Sequence, residues 1–176
     1  MLTLAVVSTA ACHVGQNPRP EVLNPDSAAQ ADIRGTMDAL QAALLQRNDA
    51  IIPEFFTGDA SLSEPGMGEV AGARGIRDAW RSYFSDEGGR LTNASIATDV
   101  LHIDGPDAFE FGTFSRTYGP GEAADSATHT VRGGYSVHWQ RGPEARWRIR
   151  RFLLNHLPAD EAGAVAGDSA AVAGGG

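Results

Sequence analysis

The chain has 176 residues and a formal net charge of −8, with 22 acidic residues against 14 basic ones, all of them arginine. A protein that binds nucleic acid needs a basic face to neutralise phosphates, so this balance argues against nucleic acid as a partner. The length is sufficient for one domain with a substantial core. Cys12 is the one cysteine, which excludes an intrachain disulfide.

The first twelve residues resemble the end of a bacterial lipoprotein signal. Met1 to Val7 form a short apolar run, Ser8 to Ala11 are small, and Cys12 follows at once. Because the cysteine at this place in such signals is lipidated, we expect a protein of the cell envelope, or a secreted one, whose contact with a membrane is made only through Cys12. The alternative is a cytoplasmic protein with an incidental thiol. No stretch approaches the roughly 20 apolar residues of a spanning helix.

Composition divides the rest of the chain into a linker, one domain and a tail. Residues 13–26 contain three prolines without periodicity and are predicted to be a linker. Residues 159–176 are rich in Ala, Gly, Asp and Ser, which bury too little surface to offset the entropy of ordering, so a disordered tail is predicted. The folded domain is then predicted over 27–158.

Apolar periodicity predicts three helices in the first half of the domain. Ser27 begins a capping-box pattern, and an apolar face with spacings of four, three and four follows it: Ile33, Met37, Leu40 and Leu44. Asp49 can cap a short second helix around Pro53. The third helix is predicted over 75–84, with Ile76, Trp80 and Phe84 on one face.

The remaining pattern is that of strands. A short strand over 60–65 precedes the third helix, and longer strands are predicted over 91–103, 108–118, 128–141 and 146–154. In the third of these, alternation places Tyr135, Val137 and Trp139 on one face. The predicted fold class is α+β, with helices gathered on one side of an antiparallel sheet.

This order of elements is similar to that of the nuclear-transport-factor-2-like superfamily, which includes ketosteroid isomerases, SnoaL-like cyclases and members of unknown function. The resemblance is carried by Asp59-Ala60-Ser61, by Gly72 to Ile76, and by Gly134 to Trp139 with Trp147-Arg148-Ile149. It implies a barrel-like cone, in which a strongly curved antiparallel sheet wraps over three N-terminal helices and leaves an apolar cavity at its open end. It also implies a homodimer formed through the outer face of the sheet.

Glu64 is the first candidate for catalysis that this resemblance implies. In ketosteroid isomerases the base is an Asp just before a Pro, after an Asp-Ala-Thr-like triplet, and residues 59–65 reproduce that context with Glu64 before Pro65. A carboxylate in an apolar cavity can carry a proton between two carbons. The positions of the oxyanion donors fall by spacing on Gln41 and Tyr135, neither of which is the family residue. The resemblance thus implies a cofactor-free isomerase, cyclase or lyase acting on an apolar carbonyl compound.

Several side chains are candidates to line the cavity: Trp80, Phe84, Phe111, His129 and Trp139. His129 shares its parity with Tyr135 only if no bulge occurs at the paired glycines before Tyr135. Asp99, His102 and His138 are further candidates for the Asp–His pair described for the cyclases. No two histidines stand at metal-ligand spacing, so no metal site is expected.

Two non-catalytic functions are alternatives to the enzyme. The first is an envelope-tethered module that binds a small apolar ligand in the cavity. The second is a protein-interaction domain that docks a partner through its sheet, which a tightly packed cone would favour. In both alternatives Glu64 is a surface residue at a strand end, and Tyr135 is a core residue whose hydroxyl finds a partner.

Overall fold

The computed structural model describes residues 25–85, 90–119 and 128–157. Within these ranges the chain forms α1 (Pro25–Leu45), a 3-10 turn (Ile52–Phe55), β1 (Phe56–Glu64), β2 (Gly68–Ala71), α2 (Gly72–Ser85), β3 (Leu91–Asp104), β4 (Asp107–Tyr118), β5 (His129–Arg141) and β6 (Trp147–His156). Cys12 and the predicted tail lie outside them. None of the helices described is both long and apolar enough to cross a bilayer.

Helix α1 has the apolar face that the sequence predicts. Its four periodic residues are all buried: Ile33, Met37, Leu40 and Leu44. The helix begins at Pro25, whose fixed φ suits a first turn, so Ser27 lies inside the helix and the last two residues of the predicted linker belong to it. It ends at Leu45 because Arg47 adopts a left-handed φ of 55° and the N–H of Asn48 turns back to a carbonyl of the last turn.

The predicted second helix is wrong. The segment forms only a single 3-10 turn, which contains Pro53 and has no side-chain cap, and Phe56 is already extended. Asp49, the predicted cap, instead accepts a hydrogen bond of 3.0 Å from Arg81 of α2. The part of the chain that the structure describes therefore has two α-helices, and α2 is the helix predicted as the third.

The strands form one curved six-stranded sheet in the order β2-β1-β6-β5-β4-β3. Strands β3 to β6 are the antiparallel meander that the sequence predicts. β1 pairs in parallel with β6, so the sheet is mixed and not wholly antiparallel. A parallel pair requires a long crossover, which α2 and the meander provide. Helix α1 contacts β3 and β6 and α2 contacts β1, so the core lies between one face of the sheet and both helices. The α+β class is confirmed.

Candidate functional site

Strand β4 carries two charged side chains into the core, Glu110 and Arg116, and both are buried. The β4–β5 pairing opposes Glu110 to Val137 and Gly112 to Tyr135, so even-numbered residues of β4 share the inner face with the apolar face of β5. Buried charges require partners, and the two residues find different ones. Neither residue is among the candidates predicted from the sequence.

Arg116 forms a buried ion pair with Glu64 at the end of β1. Its Nη1 donates to Glu64 Oε1, and both side chains are 6% exposed. The guanidinium also lies over the rings of Trp80 and Phe114, at 5.7 and 5.5 Å from their centroids. Glu64 Oε2 is buried and has no hydrogen-bond partner in the described part of the chain. Glu64 is thus a buried, ion-paired carboxylate inside the domain.

Tyrosine side chains surround this pair. Burial raises the pKa of Tyr83 above its ordinary value, and a hydrogen bond with Tyr118 and the charge of Glu64 raise it further, while Arg116 opposes the shift. The Tyr83 ring also contacts the edge of Trp80, with 5.4 Å between centroids. The region around the ion pair is therefore an aromatic cluster.

The space between α1 and the guanidinium of Arg116 is almost filled. A cavity of only about 10 Å³ remains there, and its wall includes Gln41, Arg116 and Phe114. One water molecule needs about 10–15 Å³ of such volume, so this space cannot hold an organic substrate. Gln41, the predicted donor on the first helix, is half-buried in this wall.

Glu110 is held by three neutral donors. Tyr135 Oη and Thr98 Oγ1 each donate to Oε1 at 2.7 Å, and the indole Nε1 of Trp139 donates to Oε2 at 2.8 Å. Because the Tyr135 proton is directed to Glu110, this hydroxyl does not face a substrate oxygen as the predicted oxyanion donor would. Burial raises the pKa of Tyr135, and Glu110 and Asp99 add to the shift, while the hydrogen bond from Thr98 lowers it.

An open cavity of about 250 Å³ lies between α1 and strands β3 and β4, and Glu110 forms part of its wall. We call it the Glu110 cavity. Its apolar wall is Ile33 and Leu101, and its exposed rim includes Arg34 and Asp99. The complete lining is Gln30, Ile33, Arg34, Thr98, Asp99, Leu101 and Glu110. This cavity brings an apolar wall and a buried carboxylate together at the surface.

Two of the predicted cavity residues lie elsewhere. Phe111 is 51% exposed on the outer face of the sheet, because β5 fixes the parity of β4 and directs Glu110 inward instead. His129 keeps the inner parity, since the β4–β5 register has no bulge at Gly133, but it lies at the exposed end of β5 and stacks on Tyr118 at 5.0 Å. Phe111 therefore lies outside the inner face, whereas His129 lies at its exposed end. Trp80 and Trp139 are buried in the core, and Phe84 is half-buried against it.

The histidines do not form the predicted pair with Asp99. His138 lies on the outer face, where its Nε2 is 2.7 Å from Asp107 Oδ1 and its ring stacks on Phe109 at 4.7 Å. His102 is exposed on β3. Residues 25–85, 90–119 and 128–157 contain no group of three or more His, Cys, Asp or Glu residues that could hold a metal ion.

No protein-family model and no curated protein sequence matches the chain. Solved structures do match. A ketosteroid isomerase-like protein from Erwinia carotovora atroseptica has a TM-score of 0.63 at 15% identity, over 73% of this chain and 95% of that chain. A nuclear transport factor 2-like superfamily protein from Salmonella enterica serovar Typhimurium has a TM-score of 0.63 at 15% identity, over 76% of this chain and 94% of that chain.

A third similar structure is that of an NTF-2 like protein of unknown function from Shewanella oneidensis. It has a TM-score of 0.55 at 14% identity, over 72% of this chain and 98% of that chain. These likenesses show a shared architecture at low sequence identity. The chain has the nuclear-transport-factor-2-like fold, as its sequence resemblance predicts.

Proposed function

We propose that this protein binds a small molecule in the Glu110 cavity and does not transform it. The observation that carries the proposal is an open cavity of about 250 Å³ that combines the apolar side chains of Ile33 and Leu101 with a fixed carboxylate. Binding pockets generally pair apolar walls with a few positioned polar groups. Because the volume lies just below the roughly 300–1,000 Å³ typical of such pockets, the ligand is small.

The contacts of the three residues predicted for catalysis favour binding over turnover. Glu64 Oε1 is engaged by Arg116, and Tyr135 donates its proton to Glu110. Gln41 faces a space of about 10 Å³. A general base must come within hydrogen-bond reach of the proton that it removes, and Glu64 Oε1 is already engaged by Arg116.

An isomerase, cyclase or lyase that uses Glu64 as base stays the alternative. It is supported by the likeness in fold to the ketosteroid isomerase-like protein. Because one fold hosts many functions, this likeness does not by itself assign an activity. This alternative predicts that Glu64→Gln abolishes turnover of an apolar carbonyl compound while the chain still folds. The binding proposal predicts no turnover by the wild-type protein.

A thermal-shift screen of the full chain against fused-ring enones, phenols and fatty acids tests the binding proposal. A ligand raises the melting temperature in proportion to RT ln(1 + [L]/Kd). Gln30→Trp places a bulky ring at the exposed entrance of the cavity and is expected to abolish the shift. Gln46→Trp, at an exposed position outside the cavity lining, is the matched control and should keep it. A shift that survives in Gln30→Trp contradicts the proposal.

A row of exposed apolar side chains favours a second role, that of a homodimer. Four large apolar residues are exposed on the outer face of the sheet: Val100, Phe109, Phe111 and Leu153. The strand register places Val100, Phe111, Ser136 and Leu153 side by side across β3, β4, β5 and β6. Contiguous exposed apolar surface of this kind marks interaction sites. We propose that a second copy covers it through a two-fold contact.

We further propose that Cys12 is lipidated and tethers the domain to the cell envelope. The proposal is supported by the small residues that precede Cys12 in the sequence. Metabolic labelling with a radioactive fatty acid should label the wild-type protein and leave Cys12→Ser unlabelled. Equal labelling of both proteins would exclude this anchor.

A further inference from the structure

Glu110 forms no ion pair with any residue that the structure describes. The residue is 2% exposed, and its three hydrogen-bond partners in the described ranges are two hydroxyls and one indole, all of them neutral. Arg34 lines the same cavity but forms no ion pair with Glu110 among the described contacts. A buried carboxylate is most stable when a positive charge is near, so a cation at this wall would be stabilised.

Asp99 brings a second carboxylate to the same cavity. It lies exposed on β3, one residue after Thr98, whose hydroxyl donates to Glu110. The pKa of Tyr135 responds to this environment: burial raises it most, and the nearby charges of Glu110 and Asp99 raise it further. Two carboxylates on one side of the cavity would repel an anionic ligand.

Glu110 also has acceptor capacity to spare. A carboxylate oxygen can accept two hydrogen bonds, and Oε2 accepts only the one from Trp139. An ammonium group has three donors and no acceptor, so it matches such a site better than a hydroxyl does. Ile33 and Leu101 offer an apolar surface for a carbon chain beside the charge.

We infer that the ligand of the Glu110 cavity is a small organic cation, namely a primary alkylammonium with a short apolar chain. The ammonium group lies toward Glu110 and Asp99, and the chain lies on Ile33 and Leu101. This inference rests on the proposed function, since it names the class of molecule that the same cavity binds.

Three probes of equal chain length separate charge from shape: n-butylammonium, n-butanol and butyrate, each added to the full chain at constant ionic strength. The reporter is the NMR signal of the Trp139 indole N–H, which is hydrogen-bonded directly to Glu110. The indole signals of Trp80 and Trp147 are internal controls, because neither residue lines the cavity. Only n-butylammonium is expected to shift the Trp139 signal, and the shift should saturate.

Variants that each remove one negative charge show which carboxylate contributes to n-butylammonium binding. Asp99→Asn should weaken n-butylammonium binding by up to about fivefold, as for an exposed charge pair. Asp104→Asn, an exposed acid on β3 outside the cavity lining, is the matched control and should bind like the wild type. Glu110→Gln should weaken binding by about thirtyfold or more. If Glu110→Gln fails to fold, the comparison of Asp99→Asn with Asp104→Asn decides.

The possible failures are distinguishable. A Trp139 shift of equal size with n-butanol or butyrate overturns the cationic class and leaves the binding proposal standing. A response to n-butylammonium that is the same in Asp99→Asn, Asp104→Asn and Glu110→Gln also overturns it. If no probe moves the Trp139 signal, the inference is overturned. If no compound of the thermal-shift screen binds either, the proposed function is overturned with it.

Discussion

Glu64 and Arg116 form an ion pair in a part of the interior where either charge would be unstable without the other. The pair engages the carboxylate that a ketosteroid-isomerase-like base would use, and the guanidinium of Arg116 lies over the rings of Trp80 and Phe114. Truncating one partner of such a pair is costly because the other charge stays buried and uncompensated. We therefore expect that replacing Glu64 lowers the stability of the fold.

Glu64→Gln is expected to lower the free energy of unfolding by about 3–5 kcal/mol, since it removes the charge that compensates Arg116. Urea denaturation measures this change. Glu69→Gln, an exposed Glu on the neighbouring β2, is the control and should change stability by less than about 0.5 kcal/mol. Equal stability of the two variants would show that the ion pair does not stabilise the fold.

The buried phenols predict a loss of stability in alkali. The pKa values of Tyr83 and Tyr135 are raised, chiefly by burial, so the folded chain keeps these protons at a pH where the unfolded chain loses them, above about 10. Their contribution is complete below that pH and falls as the pH rises, because the unfolded state then binds fewer protons. Urea denaturation across this pH range should show the decline, and Tyr135→Phe should make it less steep. Identical declines in both proteins would contradict the role of Tyr135.

At the scale of the element, both β4 and β5 were predicted as strands, but only the inner face of β5 was predictable. The alternation of Tyr135, Val137 and Trp139 gives β5 its inner face directly. In β4 the apolar residues Phe109 and Phe111 favour the opposite parity from the one adopted, because pairing with β5 turns Glu110 inward. That pairing joins residues distant in sequence, so local periodicity could not reveal the Glu110 cavity, whereas a strand-by-strand register could.

The prediction of a second helix did not hold for a local reason. The buried ion pair was not predicted because its two residues are distant in sequence. The segment around Pro53 is too short to nucleate a helix, and its capping residue bonds with Arg81 instead. Glu64 was identified from its place before Pro65, but its partner Arg116 lies on another strand, and nothing in the sequence near Glu64 indicates it.

Strands β5 and β6 approach each other so closely at Gly133 that the position has no room for a side chain. A Cβ at Gly133 would collide with the carbonyl oxygen of Asn155 and lie 2.7 Å from a ring carbon of Phe114. Gly133→Ala should therefore cost about 1–3 kcal/mol of stability, measured by thermal denaturation. Gly134→Ala is the matched control, because its Cβ would meet nothing nearer than 3.8 Å. If the two variants melt together, the approach is looser than the structure indicates.

For the whole molecule, the proposed homodimer makes a prediction about the outer face of the sheet. We expect the wild-type protein to be a dimer in sedimentation equilibrium. Phe111→Asp should make it a monomer, because the charge would enter the apolar row that the partner covers. Ile51→Asp replaces another exposed apolar residue, away from the sheet, and should remain dimeric. A monomeric wild-type protein would contradict the homodimer.

The parallel pairing of β1 with β6 joins the first strand of the domain to the last. Strand β6 lies between β1 and β5 and bonds to both, so the β1–β2 hairpin has no place in the sheet until β6 is present. Such non-local contacts are formed late and slow the search for the native state. During synthesis β1 therefore cannot form its parallel pairing until β6 has left the ribosome.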